Sequence, residues 1–191
     1  MKNIISKIGF VLVIALAGLS FSDEAFDKFF EIVSLKTDYQ CSLDIVQYAE
    51  FDTALFGGFF AIGGKRLYAH LGENYYLQGE NGELLNWMEG GDAMPAADAL
   101  PFGNWEKTKQ TIVKKFQVKA TIADDFISLL GSAIDKESPI VKTKITVWKT
   151  GYLKEIILWD MTNYRPIVVL KTTGDYRAGY YHFFLSIPSP G

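Results

Sequence analysis

The stretch YYLQGENGELLNW, residues 75–87, has the pattern of two short strands joined by a tight turn. Asn81-Gly82 at its centre is typical of a two-residue type I′ turn, because both residue types accept a positive φ. The residues on either side, 75–78 and 83–87, have the aromatic and aliphatic character of short strands. The stretch therefore predicts a β-hairpin, whose two strands are necessarily antiparallel.

Alternation of apolar and polar residues predicts further strands on both sides of this hairpin. Before it, Cys41, Leu43 and Ile45 share one parity with Tyr39. The other strand-like segments are residues 56–62, 66–71, 116–122, 126–130, 141–147, 153–161, 166–172 and 180–187. These strands are short, turns separate them at close intervals, and no helical crossovers lie between them. The pattern predicts an antiparallel meander and argues against a parallel α/β sheet.

One amphipathic helix precedes the strands. Phe26, Phe29, Phe30 and Val33 stand at i, i+3, i+4 and i+7 within residues 23–36. This spacing places them on one stripe, which must lie against a large apolar surface. The helix and the sheet together predict an α+β, mainly antiparallel β protein.

Two segments between the strands are less regular. Residues 89–103 contain three Gly and two Pro, and their alanine-rich part, residues 94–100, is compatible with one or two helical turns. Long loops of this kind are often functional lids, with disorder as the alternative. Residues 105–116 are compatible with a helix or with the start of a strand.

The amino-terminal residues have the three parts of a secretory signal peptide. Lys2 and Lys7 precede an apolar run over residues 8–19, and small or polar residues follow through Ser22. The run is shorter than the ~20 residues of a membrane span, and no Cys follows it that could be lipidated. We predict a signal peptide over residues 1–22 and one domain over 23–191, hence an exported, soluble protein. A retained amino-terminal anchor is the alternative.

Composition excludes several classes of protein. The chain has 191 residues, a formal net charge of −3 and a single Cys. The negative charge argues against a nucleic-acid binder, and one thiol excludes a disulfide framework and a multi-cysteine zinc site. Cys41 follows the strand alternation, which predicts a small buried residue, with a disulfide between chains as the alternative.

No catalytic, metal-binding or cofactor-binding motif is present in the sequence. His70 and His182 are the only histidines, each flanked by strand residues and outside any known nucleophile motif. Metal-ligand spacings and a Gly-rich phosphate loop before a helix are missing as well. We therefore expect no enzyme, no cofactor and no metal. Because 15% of the residues are aromatic, the apolar surface exceeds what a compact core needs, which favours a binding interior.

The order of these segments resembles the periplasmic outer-membrane lipoprotein carrier family, the LolA-like proteins. The resemblance covers nearly the whole chain after residue 22. It rests on the amphipathic helix, Gly57-Gly58-Phe59-Phe60, the hairpin of residues 77–87, and the strand pattern that ends in residues 153–160 and 183–188.

This resemblance implies a strongly curved, incomplete β-barrel over the amino-terminal helix, closed by a helical or loop lid. It implies a soluble periplasmic carrier that binds the acyl chains of lipoproteins in an apolar cavity and moves them towards the outer membrane. The implied partners are an inner-membrane donor and an outer-membrane acceptor protein. It also implies an Arg near the second strand that contacts the lid. Arg66 is the nearest candidate, although its spacing from Gly58 is longer than in the family and no Pro follows it.

An alternative function is a non-catalytic envelope protein that binds another lipid, or a protein partner through its aromatic sheet face. For the carrier, the apolar residues of one sheet face and of the helix stripe are the expected cavity residues. A dry core built from the same residues is the competing interpretation. The candidates are Phe29, Phe30, Val33, Leu43, Ile45, Phe60, Leu67, Leu71, Leu77, Ile145, Val147, Ile156 and Leu158.

Overall fold

The structure is a computed structural model that describes residues 24–49, 52–78, 83–92, 94–95, 104–161 and 166–178. Several sequence predictions fall outside these ranges. They are the signal peptide over 1–22, the Asn81-Gly82 turn, most of the predicted helical turns over 94–100, and the strand over 180–187 with His182.

The described residues form two helices and twelve strands, numbered here in chain order. The helices are α1 (Glu24–Val33) and α2 (Trp105–Lys115). The first six strands are β1 (Asp38–Tyr48), β2 (Thr53–Gly63), β3 (Arg66–Leu71), β4 (Asn74–Gln78), β5 (Leu84–Met88) and β6 (Met94–Pro95). The remaining six are β7 (Phe116–Ile122), β8 (Phe126–Ala133), β9 (Lys142–Trp148), β10 (Leu153–Trp159), β11 (Val168–Thr172) and β12 (Arg177–Ala178).

All twelve strands belong to one antiparallel sheet. Its order is β6-β5-β4-β3-β2-β1-β11-β10-β9-β8-β7, and β12 pairs with the first residues of β1. Because β6 and β7 are the two edges and do not pair with each other, the sheet is an open, incomplete barrel. The predicted fold class, a mainly antiparallel α+β protein with an incomplete barrel, is confirmed.

The register gives the sheet one continuous apolar face. Leu43 of β1 lies opposite Gly58 of β2, and Ile45 lies opposite Phe56 on one side and Leu170 of β11 on the other. The same parity continues through Ile156 of β10 to Ile145 of β9 and Leu129 of β8. A single face thus carries the core, as the alternation in the sequence predicted.

Helix α1 covers only one end of this face. It contacts β7 and β8, and two of its own residues, Phe29 and Val33, are completely buried. The ring of Phe30 packs edge-on against Phe26 and Phe29, with centroids 5.1 and 5.2 Å apart. Phe29 and Phe30 belong to the buried hydrophobic cluster, and the partly buried Phe26 packs against it.

Helix α2 resolves the ambiguity left by residues 105–116 in favour of a helix. The Asn104 side chain caps its first turn by accepting a hydrogen bond from the Lys107 N–H at 3.2 Å. Glu106 near the start and Lys114 and Lys115 near the end suit the helix dipole. By contrast, Met94 and Pro95 form the edge strand β6 against Leu85 and Asn86, so the prediction of helical turns is wrong for these two residues. Pairing with an available strand edge outweighs the helix propensity of an alanine-rich segment.

A cluster of tyrosines joins the two halves of the sheet. Tyr176 Oη donates to the Leu153 carbonyl oxygen at 2.6 Å and accepts from Trp148 Nε1 at 3.0 Å. The Tyr39 hydroxyl oxygen accepts from the Leu153 N–H at 3.2 Å, and Tyr152 stacks on Tyr176 with centroids 4.3 Å apart. These contacts tie β1, β9 and β10 to the segment that leads into β12.

Candidate ligand cavity

The apolar face of the sheet encloses a cavity of about 670 Å³. This volume lies within the range of about 300–1,000 Å³ that is usual for ligand sites. Strand residues form most of the wall: Leu43, Phe60, Ile62, Leu67, Ala69, Leu71, Tyr76, Leu84, Phe116, Thr143, Leu153, Ile156, Leu158 and Leu170. Trp105, Lys114 and Lys115 of α2 and several residues of the β8–β9 connection complete it.

The position of the wall residues shows that the sheet is strongly curved. Leu84 belongs to β5 and Thr143 to β9, which are seven strand-to-strand steps apart in the sheet. At a spacing of about 4.8 Å per step, a flat sheet would separate them by roughly 34 Å. Both border one cavity, so the sheet folds back on itself and its two halves face each other.

Helix α2 borders the cavity with residues from both of its ends, whereas α1 contributes no wall residue. Helix α1 lies over β7 and β8, and α2 contacts β7 and α1. Residues of β2–β5, β10 and β11 face the cavity, and Trp105 and the last turn of α2 border the same space. Within the part of the chain that the structure describes, these apolar side chains border an open space, which is the arrangement expected for a binding interior.

Six of the thirteen residues predicted to line a cavity do line this one. They are Leu43, Phe60, Leu67, Leu71, Ile156 and Leu158. All six lie on strands and share the parity of the apolar face. That these residues bind a ligand remains a prediction.

Six others lie in the core and not at the cavity wall. Phe29, Phe30 and Val33 are buried on α1, and Ile45, Ile145 and Val147 are buried on the sheet face. All six belong to one buried hydrophobic cluster. Helix α1 contacts β7 and β8, next to β9, which carries Ile145 and Val147, whereas Ile45 lies on β1 in the middle of the sheet. The alternation of residues along a strand identifies the inner face of the sheet correctly. It does not distinguish the inner residues that pack in the core from those that border the cavity.

Leu77 lies on the opposite face of the sheet. It pairs with Tyr68 of β3 and Leu85 of β5, whereas the neighbouring Tyr76 and Gln78 are on the inner face. The prediction of an inward Leu77 differs from the register by one residue, and a one-residue difference reverses the face. On β4 the polar residue Gln78 is wholly buried at an inner position, and the apolar Leu77 lies on the outer face. Hydrophobicity therefore does not identify the inner residues of this strand.

Sequence reasoning missed the remaining wall residues for two reasons. Ile62 and Ala69 share the parity of the predicted Phe60 and Leu67, so strict alternation would have found them. The residues from α2 and from the β8–β9 connection come from elements whose placement over the sheet leaves no signal in the strand pattern. These are Trp105, Lys114, Lys115, Ile134, Asp135, Glu137, Ser138, Pro139 and Ile140.

Charged residues are confined to one mouth of the cavity. Lys114 and Lys115 come from the last turn of α2, and Asp135 and Glu137 come from the β8–β9 connection. Lys114, Asp135 and Glu137 are exposed to solvent. The wall therefore has an apolar interior and one polar rim.

Two buried polar side chains on the inner face lack partners among the residues that the structure describes. Thr143 Oγ1 is inaccessible to solvent and makes no hydrogen bond there, although Thr143 itself borders the cavity. Both amide atoms of Gln78 are in the same situation. Gln78 lies between Leu67 and Leu84, which are wall residues. Buried polar groups of this kind are uncommon in folded proteins.

The opposite face of the hairpin region carries an aromatic ladder, defined here as Phe59, His70, Tyr75 and Trp87. These residues occupy paired positions on β2, β3, β4 and β5. His70 stacks on Tyr75 with centroids 4.3 Å apart, and Tyr75 stacks on Trp87 at 5.7 Å. All four are partly exposed, so His70 is a stacking residue on the face away from the cavity.

Arg66 shares this outer face. It is the first residue of β3, is exposed, and alternates with the inward Leu67. Its proposed contact with a lid cannot be compared with the structure, because residues 96–103 lie outside the described ranges.

Cys41 is buried on β1, as predicted from its parity. Burial raises the pKa of its thiol, which keeps it protonated and unreactive at neutral pH. Burial also raises the pKa of the Tyr39 hydroxyl. Both side chains have structural positions in the core.

Neither described helix has the length and apolar character needed to cross a membrane. Within the described ranges, His, Cys, Asp and Glu residues nowhere form a group of three suited to a metal ion.

Comparisons with known proteins place the chain by its structure alone. No family model matches it, and no curated protein matches it in sequence. A LolA superfamily protein from Nitrosomonas europaea matches in structure with a TM-score of 0.42 and 12% identity, over 81% of this chain and 92% of that chain.

Two further solved structures match over a similar length. An outer membrane lipoprotein-sorting protein domain from Vibrio parahaemolyticus has a TM-score of 0.37 and 10% identity, over 80% of this chain and 92% of that chain. A DUF1329 family protein from Desulfovibrio piger has a TM-score of 0.39 and 12% identity, over 81% and 91%. The LolA-like resemblance of the sequence concerns the same group of proteins. At these scores and identities, nothing about function follows from these matches.

Proposed function

We propose that this protein is a soluble carrier that binds the acyl chains of lipoproteins in the cavity and moves them through the periplasm towards the outer membrane. The observation that carries the proposal is the apolar cavity of about 670 Å³ on the inner face of an open sheet. The order of elements in the sequence, which resembles the lipoprotein carriers, supports the choice of cargo. Cleavage of residues 1–22, an inner-membrane donor and an outer-membrane acceptor are part of the same proposal.

The energetics of acyl transfer fit such a cavity. Removing a sixteen-carbon chain from a membrane costs on the order of 10 kcal/mol, at about 0.8 kcal/mol per methylene. Leucine, isoleucine and aromatic side chains along the wall supply apolar contacts for the chain. The open edges of the sheet leave a route for release, which a carrier needs as much as binding.

The test is to purify the exported protein from a bacterial envelope and to identify lipids that copurify by mass spectrometry. The proposal expects acylated lipoprotein, or lipid that a triacylated lipoprotein displaces from the protein. A second assay would follow the transfer of a triacylated lipoprotein between two populations of vesicles. Free lipid alone, with no transfer of lipoprotein, would indicate a general lipid-binding protein. The absence of any lipid binding would overturn the proposal.

A second candidate function is a non-catalytic envelope protein that binds a protein partner through its aromatic sheet face. The aromatic ladder favours it, because Phe59, Tyr75 and Trp87 present partly exposed rings on the face opposite the cavity. Trp87→Ser would weaken such a complex and leave lipid binding unchanged. The two functions use different faces of the sheet, so these measurements separate them.

A further inference from the structure

The charged wall residues of the cavity come from two adjacent elements, the end of α2 and the β8–β9 connection, which the Ile134 N–H joins to the Lys115 carbonyl oxygen at 2.9 Å. Leu67, Leu71 and Leu84 on β3 and β5 border the apolar part. Lys114, Lys115, Asp135 and Glu137 border the charged mouth. A charged rim offers no favourable contact to a pure hydrocarbon, whereas it can contact the polar head group of an amphiphile.

Thr143 lies between these two groups of wall residues. It is the second residue of β9, directly after the β8–β9 connection that supplies Asp135 and Glu137. Across the sheet it pairs with Gly131 on one side and with Leu158, an apolar wall residue, on the other. Thr143 therefore lies next to the charged mouth, on the side of the apolar wall.

The hydroxyl group of Thr143 is available for a new hydrogen bond. Thr143 is only 3% exposed, and among the residues that the structure describes its Oγ1 has no partner. A buried hydroxyl without a partner is destabilising, and a guest that accepts its hydrogen bond would remove that cost. Because Thr143 borders the cavity while its oxygen is closed off, this contact requires rotation about χ1 to another staggered rotamer.

We propose that the guest is an amphiphile whose acyl chains are joined to its head group through a carbonyl-containing linkage, an ester or an amide, and that the Thr143 hydroxyl donates a hydrogen bond to that carbonyl oxygen. The chains then extend towards β3–β5, and the head group lies between the end of α2 and the β8–β9 connection. This inference rests on the proposed function, since it assumes that the cavity takes acyl chains. It adds the residue that contacts the acyl linkage and the orientation of the guest.

The test compares two lipids that differ only at the linkage. One is a fluorescent glycerophospholipid with two ester-linked chains, and the other is its ether-linked counterpart with the same chains and head group. The full-length exported protein, freed of copurified lipid, is titrated with each. We expect the ester lipid to bind about three- to tenfold more tightly, the value of one neutral hydrogen bond.

Three variants assign this preference to Thr143. Thr143→Val should bind both lipids equally, and Thr143→Ser, which keeps the hydroxyl, should retain the preference for the ester. Thr146→Val is the matched control, because Thr146 lies on the same strand with its hydroxyl bonded to Glu155 at 3.2 Å, and it should behave as the wild type. Should Thr143→Val fail to fold, Thr143→Ala compared with Thr143→Ser gives the same contrast.

The outcomes distinguish this inference from the function on which it rests. Equal binding of both lipids by the wild type would overturn the role of Thr143 and leave the carrier function standing. An ester preference that Thr143→Val retains would place the linkage elsewhere and overturn the inference as well. Failure to bind either lipid, together with failure to bind a triacylated lipoprotein, would overturn the proposed function itself.

Discussion

Gln78 is a polar side chain on the inner face of β4 with no exposed surface. Its amide nitrogen and oxygen find no hydrogen-bond partner within the part of the chain that the structure describes. Leaving such groups unsatisfied costs about 1–3 kcal/mol. We therefore expect Gln78→Met, which keeps the length of the side chain without its polar atoms, to raise the free energy of unfolding by roughly 1–2 kcal/mol.

Urea unfolding followed by circular dichroism measures this change. Gln40→Met is the control, because Gln40 is half-buried on the outer face of β1 and should change stability by less than about 0.5 kcal/mol. A loss of stability in Gln78→Met would contradict the prediction and would indicate that the amide binds ordered water.

Asp175 gives the protein a dependence on acid pH. Its carboxylate accepts hydrogen bonds from the Thr173 hydroxyl and from the Ser42 N–H and hydroxyl groups. These bonds, that of Thr173 foremost, lower the pKa of the carboxyl from 3.8 to about 2. Since the pKa is lower in the folded state, the stabilisation is complete above the unfolded value and is lost as the pH falls towards 2.

The measurement compares the wild type with Asp175→Asn by thermal unfolding between pH 7 and pH 2. The difference in stability should be constant from pH 7 to about pH 5 and should shrink below about pH 4. A difference that does not change over this range would show that the Asp175 charge contributes nothing.

At the scale of the element, the turn between β9 and β10 depends on contact with α1. Gly151 adopts φ +92°, and an added Cβ would lie 2.7 Å from the Ile32 carbonyl oxygen and 2.8 Å from Lys36 Cγ. Gly174 has a similar φ of +88° with open space around it. Gly151→Ala should therefore destabilise the protein by roughly 2–3 kcal/mol, and Gly174→Ala by only about 1 kcal/mol.

The difference between the two variants isolates the contact with α1, because the backbone strain is common to both. Chemical denaturation of the pair measures it. Equal losses would mean that α1 shifts away at little cost.

Elements with a strong period were predictable from the sequence. Cys41, Leu43 and Ile45 alternate on β1 as expected, and Phe29 and Val33 form the buried stripe of α1. Local spacing decides such features, because a strand has a period of two and a helix a period of 3.6. Leu77 was misplaced because β4 places Tyr76 and Gln78 inward, against the order of their hydrophobicity.

The position of the cavity was not predictable in the same way. Phe60 and Ile145 share a face and a degree of burial, yet only Phe60 borders the cavity. What separates them is the placement of α1 over β7 and β8, which is a tertiary arrangement. Local pattern carries no information about which end of a concave face a helix covers.

Across the whole molecule, aromatic residues lie on both faces of the sheet. Phe60, Tyr76 and Trp105 border the cavity, while Tyr75 and Trp87 stack on the outside. A high aromatic fraction alone therefore cannot distinguish a binding interior from a binding surface. The register of the strands decides it, because it assigns each ring to a face.

We expect the same substitution, leucine to glutamate, to affect lipid binding differently on the two faces of the sheet. Leu71 on β3 borders the cavity, and Leu77 on β4 lies on the outer face; both are half-buried leucines. Leu71→Glu places a charge against the apolar wall and should reduce fluorescent-lipid binding at least tenfold, since desolvating a charge beside an acyl chain costs well over 1.4 kcal/mol. Leu77→Glu should leave the dissociation constant within about twofold of the wild type, because solvent reaches its face. Circular dichroism shows whether both variants are folded, and equal loss of binding in two folded variants would rule out the inner face as the ligand site.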